Sequence, residues 1–141
     1  MRIAKRQVVS VCAFVALFVG GCVSTARFDQ RAYETTIDLK VDSLVLVEKS
    51  IEPYTYHVAE TESIVVRVRK AYEYAKGIPD NGTTVEQWAL VADPNGGGIV
   101  GYLHDWKEAG AFSEFEVEES LAMIAKQFDA IIELEAAKLK E

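Results

Sequence analysis

The sequence predicts an all-α domain, an antiparallel four-helix bundle whose third helix is broken at a Pro/Gly-rich turn. Three observations carry this expectation. Between Tyr54 and Ala75, apolar or small residues recur at alternating steps of four and three, the repeat of a helix that buries one face. Two Ser/Thr-x-x-Glu pairs, Thr83 with Glu86 and Ser113 with Glu116, each stand just before an apolar-periodic run, as capping boxes do. Stretches with the alternation of a strand are nearly missing, and the predicted elements are joined by short turns, which favours antiparallel neighbours.

The first helix is predicted from about Asp29 to about Ser50. Asp29 suits the N-cap, and Phe28 and Tyr33 stand where a hydrophobic staple forms. Tyr33, Ile37, Val41, Leu44 and Ile51 mark its apolar face. The run Leu44-Val45-Leu46-Val47 is apolar all round and points to a buried turn, although alone it also fits a strand. The second helix opens with Pro53 in its first turn. Its stripe is Tyr54, Val58, Thr61, Val65, Val68, Tyr72 and Ala75, widened by His57, Ile64 and Ala71. Gly77-Ile78-Pro79 predicts a Schellman-type stop.

The third helix is predicted from Thr83, with Val85, Trp88, Ala89 and Ala92 on its apolar face. Pro94-Asn95-Gly96-Gly97-Gly98 breaks it, and it resumes from about Ile99 to about Ala109, burying Ile99, Leu103 and Trp106. The fourth helix follows Ser113. Phe112 and Val117 form its staple, and Leu121, Ile124, Phe128, Ile131 and Leu134 its face. Glutamates crowd its N-terminus and lysines its C-terminus, as the helix dipole favours.

The chain has 141 residues, with 22 acidic and 15 basic side chains and a net charge of −7. An acidic body of this kind argues against nucleic acid and favours solubility or a basic partner. Before this body lies a different segment. Arg2, Lys5 and Arg6 precede an apolar run from Val8 to Val19, which is too short to span a bilayer comfortably. Small residues follow it. This is the layout of a secretory signal peptide.

The closing residues, Val19-Gly20-Gly21-Cys22, resemble a bacterial lipobox, with valine as a tolerated departure at the leucine position. The resemblance implies a signal peptide over 1–21, an acylated Cys22 and short linker over 22–28, and a helical domain over 29–141. Three of the basic residues and none of the acidic ones precede Cys22, which leaves 12 against 22, about −10 for the mature chain. Cys12 leaves with the signal and Cys22 carries lipid, so no thiol remains for a disulfide. In Gram-negative lipoproteins an aspartate after the cysteine signals retention at the inner membrane. Val23 stands there, which resembles cargo for the outer membrane, with the body on the periplasmic side. The linker from Val23 to Arg27 reaches at most roughly 17 Å, so the body is expected close to the membrane.

The residues offer little chemistry. Gly96-x-Gly98-x-x-Gly101 matches the dinucleotide fingerprint as a string, but no strand precedes it and no βαβ unit surrounds it. Close backbone packing is the expected role of these glycines. His57 and His104 are the only histidines; neither belongs to the Glu-x-x-His pairs of di-iron bundles, and both are expected to be structural. No metal site, cofactor or catalytic residue is predicted, and most glutamates fall on solvent-facing helix positions.

One face is less bland. Tyr56 and Tyr74 stand five helical turns apart on the predicted second helix, with Arg67 and Lys70 between them. Tyrosine and arginine favour binding patches, so Tyr56, Arg67, Lys70 and Tyr74 form the candidate interaction face. The alternative is that these cations pair internally with Glu116, Glu118 or Glu119. The expected function is a membrane-tethered, non-enzymatic interaction or structural module of the cell envelope, contacting another envelope protein or a second copy. The alternative is a periplasmic binder of a small apolar ligand, in a core cavity lined by Trp88, Trp106 and Phe128.

Diacylation of one cysteine holds a protein at a membrane where a single chain does not. Cys22→Ala is therefore expected to give an unprocessed precursor or a protein released from membranes, read by fractionation and gel mobility. Normal processing with full membrane retention would contradict the lipobox reading.

Overall fold

A computed structural model describes residues 25–140; Cys22 and the apolar run before it lie outside the described residues. Among those described there are five α-helices and no β-strand. They are α1 (Gln30–Glu48), α2 (Val58–Gly77), α3 (Gly82–Ala92), α4 (Ile99–Ala109) and α5 (Glu114–Ala137). The segment expected as one broken third helix is thus two helices, α3 and α4.

The helices begin where nearby groups satisfy their free N–H groups. At α1 the Asp29 carboxylate accepts from the Ala32 N–H at 2.8 Å, and the Phe28 and Tyr33 rings meet at 5.9 Å. At α5 the Glu116 carboxylate accepts from the Ser113 N–H at 2.8 Å, while the Ser113 hydroxyl accepts from the Glu116 N–H. α3 departs from expectation. It begins at Gly82 after Asn81, so Thr83 already lies inside the helix and cannot cap it with Glu86. α2 also begins later than expected. Tyr54–Tyr56 is a separate 3₁₀ turn after Pro53, and the α-helix starts at Val58. Gly77 is the last residue of α2 and is not left-handed; the positive φ in this connection, 58°, belongs to Asp80. Gly110, at φ 86°, ends α4 with its N–H on the Trp106 carbonyl, a closure that favours glycine.

The buried residues keep the expected face on α5, shift toward the Ile64 and Ala71 flank on α2, and turn to a different face on α1. On α1 they comprise Thr36, Leu39, Ser43, Leu46 and Val47, followed by Ser50 in the next turn, whereas Val41 is 55 % exposed and Ile51 faces solvent. Hydroxyl residues recur here every seven positions, so a count of apolar residues misplaces the stripe. Thr36 and Ser50 return their hydroxyls to the carbonyls of Ala32 and Val47 and so blend with an apolar face. On α2 the buried line is Thr61, Ile64, Val68, Ala71 and Ala75, with Val65 and Tyr72 half-buried on its flank. On α5 the expected Val117, Ile124, Phe128 and Ile131 are all buried.

α1 packs against both α2 and α5, and α3 against both α2 and α5, so these four close a ring around one core. α4 packs on α3 and on the start of α2, covering one end of the ring with Ile99, Leu103 and Trp106. The Trp106 indole N–H donates to the Glu52 carbonyl at 3.1 Å and its ring meets Tyr54 edge-on. The Ser50 and Tyr102 hydroxyls, 2.5 Å apart, join α4 to the end of α1.

The corner between α3 and α4 explains the glycine string. A Cβ on Gly98 would lie 2.4 Å from the Leu90 carbonyl oxygen, and one on Gly101 would lie 1.9 Å from that of Gly96. Both contacts are with backbone, which cannot swing aside. These two glycines are packing residues, as the sequence led one to expect.

Gly101→Ala is expected to cost about 3 kcal/mol or more by forcing backbone apart. Gly77→Ala, with open space and ordinary φ, should be neutral or stabilising by about 0.5 kcal/mol. Chemical denaturation of the two variants checks this, and equal effects would place the close approach elsewhere.

Candidate functional site

The four residues of the expected interaction face separate into two places. Tyr56 lies on the 3₁₀ turn before α2 and is 76 % exposed. Because α2 starts only at Val58, Tyr56 and Tyr74 do not share one helix line. Arg67, Lys70 and Tyr74 do come together, on the C-terminal half of α2, and they border a cavity of about 310 Å³.

Four helices build this cavity. α1 supplies Arg31, Ala32 and Thr35 from its first two turns; α2 adds Ala71 and Ala75 beside the three residues named. Thr84 and Trp88 of α3 and Glu135 of α5 complete it with Asn81. The space exists because Ala32, Ala71 and Ala75 stand where larger apolar residues would fill the core. It lies at the end of the ring opposite α4, where α1 and α3 begin and α2 and α5 finish.

The rim is positive in an acidic protein. The Arg31 guanidinium stacks 5.1 Å over the Tyr74 ring, and the Tyr74 hydroxyl donates to Asp29 at 2.8 Å. Tyr74 thereby ties the start of α1 to the end of α2. Burial pushes the Asp29 carboxyl up, but the Ala32 N–H, the Tyr74 hydroxyl and Arg31 together hold it below the ordinary aspartate value. Arg67 pairs with Asp42 of α1 at 2.6 Å, and not with Glu116, Glu118 or Glu119 as the internal alternative supposed. Lys70 forms no salt bridge among the described residues.

The inner end is a buried polar cluster that sequence reasoning missed. Glu135 is fully buried. Its Oε1 accepts from the Lys138 ammonium at 2.5 Å and from the Thr84 hydroxyl at 3.1 Å. Lys138 also donates to Asn81 Oδ1 at 2.6 Å, and Asn81 Nδ2 donates to the Ala75 carbonyl at 3.0 Å. The second carboxylate oxygen, Oε2, is buried with no hydrogen-bond partner. A signal was present in the sequence. Glu135 follows Ile131 by four and Phe128 by seven, so the period of α5 places it on the buried face.

The two histidines lie outside this cavity. His57 bridges Glu52 and Glu60 at 2.7 Å each and lies against Trp106; hydrogen bonds from its ring to those carboxylates raise its pKa above the ordinary value. His104 is exposed beside Asp105. Of the three aromatics expected to line a ligand cavity, Trp88 borders the one described. Trp106 and Phe128 are fully buried in the packed core, with Phe128 edge-on to Trp88. Among the described residues no helix is long and apolar enough to cross a membrane, and no three His, Cys, Asp or Glu side chains converge to hold a metal.

Removing one member of a buried ion pair leaves the other uncompensated. Lys138→Met is expected to cost about 3–5 kcal/mol, and adding Glu135→Leu should recover most of that loss. Denaturant titration of the single and double variants checks both. A neutral Lys138→Met would show that Glu135 does not depend on this ammonium.

No protein-family model matches the chain, and comparisons with curated proteins and with solved structures give no match either, so the geometry of this site alone carries the functional reading.

Proposed function

We propose that this chain is a membrane-tethered helical lipoprotein of the cell envelope, held at the outer membrane through lipid on Cys22, whose domain works by non-enzymatic binding. An antiparallel four-helix bundle, with α3 and α4 jointly in the third place, is the architecture that goes with it. The closed ring of packing among α1, α2, α3 and α5 supports that arrangement.

One observation carries the reading. Arg67, Lys70 and Tyr74, chosen from the sequence as an interaction face, border one concavity together with Arg31, on a protein of net charge −7. A local reversal of sign around a cleft steers and orients an anionic partner. The second reading, a binder of a small ligand, is favoured by the cavity itself, whose 310 Å³ falls at the low end of small-ligand pockets.

A photo-crosslinking residue in place of Lys70, in the full chain in membranes, is expected to trap a discrete envelope protein or a second copy. The same residue in place of the exposed Glu118 is the control. Identical adducts at the two positions, or none at either, would contradict an interaction face on α2.

A further inference from the structure

We propose that the cavity between α1, α2, α3 and α5 is a binding site for a small amphipathic carboxylate that carries a hydrogen-bond donor at the end remote from its charge. The proposal rests on the reading of this face as a binding surface and names what the surface takes.

Three features of the cavity define the ligand. At the rim, Lys70 has no ion-pair partner among the described residues, and Arg31 adds a second cation whose planar face is committed to Tyr74. Arg67 is neutralised by Asp42 and the charge of Arg31 is opposed by Asp29, so Lys70 is the rim cation left without an ion-pair partner among the described residues. That charge selects an anion. The walls, Ala71, Ala75 and Trp88, are apolar or aromatic, so the body of the ligand is apolar. At the inner end, Glu135 Oε2 is a fully buried acceptor without a partner, and Glu135 borders the cavity. A buried carboxylate oxygen left unpaired is costly, and a ligand hydroxyl or N–H satisfies it. Lys138 already balances the charge of Glu135, so the donor need not be a cation. A purely apolar molecule leaves both ends unsatisfied, and a simple inorganic anion leaves the walls and floor empty.

The chain's own course places this site near the proposed anchor. The Ala26 N–H donates to the Asp80 carbonyl and Ala26 is buried, which pins the N-terminal strand of chain to the cavity end of the ring. Three residues lie between Ala26 and Cys22, so the two are at most roughly 14 Å apart along the chain. Two sources of an anion are therefore at hand, a free molecule and the phosphate of a membrane lipid. The apolar walls and the buried acceptor favour the free carboxylate.

The test uses the full chain in nanodiscs of phosphatidylcholine, titrated calorimetrically with indoleacetate, indolepropionate and indolebutyrate. Naphthaleneacetate is the matched probe without the N–H, and indole the one without the carboxylate. At least one indole carboxylate is expected to bind saturably, roughly tenfold or more tighter than either control probe. Lys70→Glu should weaken it by a similar factor and Lys70→Arg should not. Ala71→Leu, which fills the cavity, should abolish binding while the melting curve stays cooperative, and Tyr56→Ala should leave binding unchanged. Equal affinity for indole and naphthalene carboxylates would remove Glu135 from recognition and overturn the proposal. Preference for nanodiscs containing phosphatidylglycerol, without uptake of the soluble carboxylates, would assign the cations to lipid phosphate and also overturn it. If crosslinks at position 70 persist while no probe binds, the ligand assignment fails and the interaction face stands; if both are missing, both fall.

Discussion

A carboxylate buried where two helices end and a third begins is the constraint on which the cavity end of this domain depends. Placing Glu135 out of water is expensive unless its charge is met and its oxygens are bonded. Lys138 supplies the charge from the turn that follows α5, and Thr84 adds a hydroxyl from the first turn of α3. Asn81 then links the same ammonium to the Ala75 carbonyl at the end of α2. Four side chains thus hold the ends of α2 and α5 to the start of α3. The α4 end is closed differently, by Trp106, Tyr54 and the glycine corner, with apolar area and close backbone contact. One end of the ring is packed solid and the other is held open by polar bonds, which is why the cavity lies where it does.

Much of the fold was legible because local signals and burial agreed. Asp29 caps α1 with its staple in place, α4 spans Ile99–Ala109, and the Ser113–Glu116 box starts α5. The glycine string was legible as packing because no strand preceded it. The failures share a cause: polar side chains that tertiary contacts put to unexpected use. Thr36, Ser43 and Ser50 lie on the buried face of α1, so an apolar count chose Val41 instead. Thr83 and Glu86 match a capping box in sequence, but Asn81, bonded to Lys138 and the Ala75 carbonyl, takes the N-cap position two residues earlier. Pro53 precedes a 3₁₀ turn that ends at His57, itself bound to Glu52 and Glu60, and α2 begins only after it. That later start separated Tyr56 from Tyr74. The candidate site was half legible: Arg67, Lys70 and Tyr74 could be read from α2, but Arg31 came from α1, and the floor needed Glu135 recognised as buried, while a glutamate reads as a surface residue by default.

The site and the start of the described chain, where the Ala26 N–H donates to the Asp80 carbonyl, share one end of the domain. Asp29 connects them physically, since it caps α1 and accepts the Tyr74 hydroxyl at the rim. A membrane-tethered protein with its binding cleft beside its tether would meet ligands at the bilayer surface, and its acidic remainder would keep the body from lying down on anionic lipid heads. The alanines that open the cleft leave less apolar packing at this end. The buried ion pair and its bonds to Thr84 and Asn81 therefore do the holding that larger side chains do elsewhere.

Native-state hydrogen exchange measures that holding directly, because it reports the free energy of opening at each amide. If the Glu135 cluster secures the cavity end, the amides of Ala75, Trp88 and Glu135 will exchange only through global unfolding, with protection equal to that of Val68 and Phe128 in the middle of the core. Exchange of the first group through a smaller, local opening, while Val68 and Phe128 stay protected, would show that the cavity end comes apart independently and that the buried carboxylate does not hold it.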